Sequence, residues 1–144
     1  MSVDVNRLIR QYLTTSSTTN DPLIALIGGA GSERMYCPIL PENVTLPAIS
    51  YFIRGGTSSH QIPTGKFPSL QFDCWADSQE GAREVYLALY DALQGLGNAP
   101  VVLDGDTYYI IQSREEVQGQ DIIDETQGYY RVLTFFSITI RSDI

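Results

Sequence analysis

One lysine, one histidine, one tryptophan and two cysteines stand in this 144-residue sequence. Each scarcity removes a class of function. Two cysteines, Cys37 and Cys74, cannot form a disulfide framework in a chain this long. The expectation is a reducing cytosolic setting, with both thiols as small buried apolar groups. They stand far apart without a CxxC or HxxxC context, which speaks against zinc. Nine basic side chains, Lys66 among them, face seventeen acidic ones, giving a net charge of −8 and a pI near 4.4. Affinity for a polyanion comes from phosphates neutralised by Lys and Arg, so a nucleic-acid clamp is not expected. The longest aliphatic run, residues 23–27, is too short to span a bilayer. Charges within the first ten residues interrupt any apolar stretch, and no secretory signal is expected. Without one, Asn43-Val44-Thr45 is a chance match to a glycosylation acceptor.

Catalytic patterns are equally sparse. His60 sits in a Gly/Ser/Thr-rich segment with no serine or cysteine nucleophile at a recognised spacing, and reads as a solvated loop residue. Gly28, Gly29 and Gly31 follow a helix instead of opening one, and no lysine succeeds them. That is neither a P-loop nor a dinucleotide fingerprint. Asp121, Asp124 and Glu125 lack the alternation and central glycine of a calcium loop and read as a solvated acidic face. No enzyme, cofactor or metal is indicated. A small cytosolic enzyme or ligand-binding domain, with His60 and nearby carboxylates in a cleft, is the competing reading.

What is present is ample core material. Hydrophobic residues make up 43% of the chain. A chain of this length makes one domain, residues 1–144, burying roughly 68–70% of its unfolded surface. Asp4 caps a first helix carrying Val5, Leu8, Ile9 and Tyr12. Asp21 caps a short second helix with Pro22 at its first position. A short strand falls near residues 35–37. Residues 47–54 alternate as a strand, with Ile49, Tyr51 and Ile53 on one face. Residues 67–76 follow, with Leu70, Phe72, Cys74 and Ala76 opposite Gln71, Asp73 and Trp75. Between these two strands, residues 55–66 read as a long polar loop. Asp77 caps the main helix, with Glu80 completing a capping box. Its apolar stripe is Ala82, Val85, Tyr86, Leu89 and Leu93. Asp104-Gly105 marks a hairpin, residues 119–128 a second loop, and residues 129–141 the closing strand. The pattern predicts α+β: an antiparallel sheet of about four to six strands, with N-terminal helices and one main amphipathic helix packed on it.

Two features exceed a simple half-buried sheet. The closing strand would extend about 43 Å, against a globule about 37 Å across, so it spans the molecule or bends at a bulge. It is also apolar on both sides. Val132, Phe136, Ile138 and Ile140 line one face, while Leu133 and Phe135 line the other. Either helices cover part of both faces or a neighbouring subunit does, and oligomerisation is the expectation. Trp75, on an otherwise polar face, points the same way.

The segments Pro47-Ala48-Ile49-Ser50-Tyr51, Leu70-Gln71-Phe72-Asp73-Cys74-Trp75-Ala76 and Leu103-Asp104-Gly105 lie between an N-terminal helix bearing Arg7, Leu8 and Tyr12 and a final strand from Tyr130 to Ile140. Together they resemble the tail-completion and tail-terminator proteins of long-tailed bacteriophages, the small neck proteins between head connector and tail tube. The likeness spans nearly the whole chain, and LQFDCWA running into a capped helix is its most distinctive part. It implies a non-catalytic ring, usually of six subunits, around the DNA channel at the neck end of the virion tail, assembled in the host cytoplasm. Its partners would be copies of itself, the tail tube protein and the head connector, with DNA only as passing cargo and no membrane. A head-completion or connector role fits the same pattern. Interface candidates are Arg54, His60, Lys66, Trp75, Arg114, Asp121, Asp124, Leu133 and Phe135. Under a ring, the acidic balance gains a use: acidic channel walls repel phosphates.

Overall fold

The computed structural model describes residues 3–58, 65–124 and 129–142. Helix α1, Val5–Thr14, starts where the Asp4 carboxylate accepts from the Asn6 amide at 3.0 Å. Helix α2, Asp21–Leu26, begins one residue earlier than the sequence suggested, with Asn20 as the flanking residue and Pro22 inside the first turn. Asp21 instead turns back to accept from Ser16 Oγ at 2.7 Å and from the Ser17 amide at 3.2 Å. The buried Asn20 side chain donates to the carbonyls of Tyr12 and Thr15 and so joins the two helices.

The strands are β1, Met35–Tyr36; β2, Ala48–Ser58; β3, Gly65–Ala76; β4, Leu96–Leu103; β5, Asp106–Asp124; and β6, Tyr129–Ser142. Helix α3, Gln79–Leu93, lies between β3 and β4. They form one curled sheet in the order β1-β2-β3-β6-β5-β4. Every neighbouring pair is antiparallel except β1–β2, which is parallel. The fold is α+β, as the alternation of elements predicted.

Several boundaries differ from expectation for definite reasons. Within the supposed loop 55–66, the described residues are strand: 55–58 in β2 and 65–66 in β3. Gly55 and Gly56 carry β2 forward with φ of +133° and +128°, as far as Ser58. A Cβ at Gly56 would stand 2.3 Å from the Phe67 carbonyl oxygen, so only glycine fits where the two strands press together. A register shift between Ile53 and Gly55 leaves Ile53 partly exposed. The N-cap of α3 is Ser78, whose hydroxyl accepts from the Gly81 amide at 3.0 Å, and Asp77 stands outside the helix. The stretch 113–124, read partly as an acidic loop, belongs to β5. Cys37 is exposed, contrary to its expected burial, whereas Cys74 is buried.

The β4–β5 connection is the expected tight hairpin. Asp104 and Gly105 both take positive φ, 53° and 85°, the signature of a type I′ turn. The bending anticipated for the closing strand arises in its partner. Register shifts between Ile110 and Gln112, Glu115 and Val117, and Val117 and Gln120 place extra residues on β5 while β6 runs on. Such bulges bend the strand and re-aim side chains.

All three helices contribute to one face of the sheet. Leu8, Ile9 and Leu13 of α1, Leu23 of α2 and the stripe Ala82, Val85, Tyr86, Leu89 and Leu93 of α3 meet Ile49, Phe72, Cys74, Phe136, Ile138 and Ile140. Phe72 and Phe136 pack edge-to-face with centroids 5.9 Å apart. Each such side chain contributes about 1.5–3 kcal/mol by leaving water. The opposite face of β2, β3, β6 and β5 carries no helix among the described residues.

Candidate interface on the open sheet face

Strand alternation decides which side chains reach this open face. On β6 they are Arg131, Leu133, Phe135, Ser137, Thr139 and Arg141, interleaved with the fully buried residues that face the helices. Leu133 and Phe135 are half-buried there, Phe135 standing between Gln71 of β3 and Val117 of β5. Three of its arginines lie over aromatic rings. Arg54 spreads across several strands, with its guanidinium 3.9 Å from the Phe135 centroid. From there it donates to Ser69 Oγ and to Glu116 Oε2, each at 3.0 Å. Glu116 is one of the extra β5 residues, so the bulge sets up this ion pair. Arg131 stacks 5.0 Å from Trp75, and Arg141 5.3 Å from Tyr109. Such cation–π contacts keep an arginine extended while leaving its outer surface open.

A hollow of about 700 Å³ opens between Arg54, Ser69, Arg114, Glu116, Ser137 and Thr139. Arg114 is exposed there and has no ion-pair partner among the described residues. At the other end, Trp75 and Tyr129 meet the segment 39–43 around a smaller hollow of about 480 Å³. The Trp75 indole donates to Ser50 Oγ at 2.9 Å. Beside it, Asp73 is only 5% exposed. Its Oδ2 accepts from Gln71 Nε2 at 3.2 Å, and its Oδ1 has no hydrogen-bond donor, with Arg131 standing 3.7 Å away. Burial pushes this carboxyl above its ordinary pKa, against the pull of Gln71 and Arg131.

Five of the sequence candidates therefore come together: Arg54, Trp75, Arg114, Leu133 and Phe135. Two candidates with described side chains stand elsewhere. Lys66 lies near the start of β3 beside Val5 and Ile53. Asp121 pairs with Arg83 of α3 at 2.8 Å. Asp124 ends β5, and its side chain falls outside the described residues, as does His60 entirely. Sequence reasoning missed Arg131 and Arg141, although both share the parity of Leu133 and Phe135. It also missed Glu116, because no local signal reveals a bulge residue.

Chemically this face offers arginines, ring faces and half-buried aliphatic groups, a set suited to non-covalent contact. Among the described residues, no three His, Cys, Asp or Glu side chains are grouped to hold a metal ion. The Cys74 thiol is pushed far up by burial, which suppresses the thiolate. No described helix is long and apolar enough to cross a membrane.

No family model matches the sequence, and no curated protein matches it. The fold, however, is shared with a chain in the solved virion of a native gene transfer agent (GTA) particle. That likeness covers 96% of this chain and 95% of the other, with a TM-score of 0.63 and 16% sequence identity.

Proposed function

We propose that this chain is a structural subunit of a phage-like particle, acting as a ring at the neck of the tail. Several copies, six by the family resemblance, surround the DNA channel, cap the tail tube and present a docking surface to the head connector. The observation that carries this reading is the fold shared, end to end, with a chain of a GTA virion. The exposed arginine- and aromatic-bearing sheet face supports it, since a lone subunit gains nothing by leaving such a face open. A net charge of −8 is compatible with a channel through which DNA slides without being held.

Imaging by negative stain, together with light scattering, tests the proposal. Purified protein mixed with tail tubes should appear as rings at one tube end, and the free particle should weigh several times 16.0 kDa. Protein that stays monomeric at every concentration and never decorates a tube end would overturn it.

A further inference from the structure

We propose that the open sheet face docks onto the solvent-side stripe of α3 from a second copy of this chain. The proposal rests on the reading that copies of the chain assemble, and it names the two surfaces that meet. The stripe consists of Glu80, Glu84, Leu87 and Asp91, spaced by four, three and four residues and therefore aligned on one side of the helix. All four are exposed, and Leu87 is 55% exposed in their midst. No cation interrupts them. Arg83, the nearest, turns away to Asp121 and to the Gly119 carbonyl. The sheet face has the opposite character. Arg54, Arg114 and Arg131 stand around Leu133 and Phe135, with Arg141 farther along β6. Of the acids described near this face, Glu116 and Asp73 are held beside Arg54 and Arg131, while Glu42 borders the hollow at Trp75.

Charge decides how two such molecules meet. Sheet against sheet would set the arginines against themselves, and helix against helix would set acid against acid. Like charges across an interface cost several kcal/mol. Sheet against helix brings Leu87 over the half-buried Leu133 and Phe135, with carboxylates reaching the arginines around them. Glu80 to Asp91 covers about 16 Å along the helix axis, well within the length of β6. These two surfaces lie on opposite sides of the molecule. A contact between them is heterologous: each copy uses one face forward and the other behind, and a suitable rotation closes the series into a ring.

Two variants at exposed positions test this, each checked for folding by far-UV circular dichroism. Arg114→Glu with Arg141→Glu disables the sheet face, and Glu84→Lys with Leu87→Lys disables the helix stripe. Each alone should dissociate the assembly, weakening association at least tenfold in sedimentation. Mixed one to one, they should form heterodimers that neither forms alone, since each still offers one intact surface, and growth should stop there. Two results would overturn the inference and leave the ring reading standing. One is full assembly of the helix variant with loss only in the sheet variant, which means a symmetric sheet-to-sheet contact. The other is wild-type assembly by both variants, which means an interface elsewhere. Wild-type protein that neither self-associates nor binds tube ends would remove both readings together.

Discussion

Gly119 lies where β5 passes beneath the Tyr86 ring. A Cβ there would stand 2.8 Å from two ring carbons and from Val132 Cγ1. Its amide donates to the Tyr86 hydroxyl at 3.2 Å, and that hydroxyl donates in turn to Glu115 Oε2 at 2.6 Å. Thr134 completes the cluster from β6, donating to the same carboxylate oxygen at 2.9 Å. The close approach fixes the bulged strand against α3. Gly119→Ala should therefore cost about 1–3 kcal/mol through overpacking, read as a lower urea midpoint. An unchanged midpoint would mean that β5 shifts freely. The sequence placed Tyr86 in the core but Gly119 in a loop. The two residues stand 33 positions apart, and no local pattern records that they touch.

Adjacent Asp77 and Ser78 are both good N-cap types, and composition alone does not choose between them. The backbone chooses: Ser78 is extended, with φ −141° and ψ 156°, and its hydroxyl reaches the Gly81 amide. Ser78→Ala should destabilise the protein by about 1 kcal/mol, whereas Asp77→Ala should stay within about 0.5 kcal/mol. Thermal unfolding of the two variants side by side makes the comparison, and equal losses would contradict the cap assignment. Strands with strict alternation, such as Leu70 to Ala76, were fully legible, because half-burial imposes a period of two. The ends of β2 and β3 were hidden. Their glycines and polar residues look like a loop, and strand pairing at Gly56 is a tertiary event.

Across the whole molecule, tyrosine hydroxyls tie the layers together. Tyr51 donates to the Asn6 carbonyl and links sheet to α1; Tyr12 donates to the Ala92 carbonyl and links α1 to α3; Tyr86 links α3 to β5. Burial, the largest cause at each, pushes Tyr12 up and both Tyr51 and Tyr86 up to about 12, from an ordinary 10.0. Groups that hold their protons more tightly when folded contribute stability that is complete below pH 10 and lost as pH rises through about 12. Urea midpoints should accordingly fall as pH rises through this window, adding to a decline that the buried Cys74 thiol begins near its ordinary value of 9.0. The variant Tyr51→Phe/Tyr86→Phe should begin less stable and fall less steeply over the same window. Equal slopes for the two proteins would refute the assignment. Sequence reading anticipated the two-sided apolar strands and the α+β class. It expected a neighbouring subunit over the second face but not the arginines that face carries, because their cluster emerges only when β2, β3, β6 and β5 lie side by side.

Where β5 and β6 are bonded, residues 108–124 run against residues 129–142, 17 against 14, and this inequality has a further consequence. Two bonded ribbons of different contour length behave like a bimetallic strip, and the surplus on one ribbon must appear as a bend. Curvature is thereby written into residue number instead of side-chain identity. Drift in composition can proceed while the bend persists, whereas removing the extra residue Glu116 would erase one bulge and its share of the bend while leaving Val117 opposite Phe135.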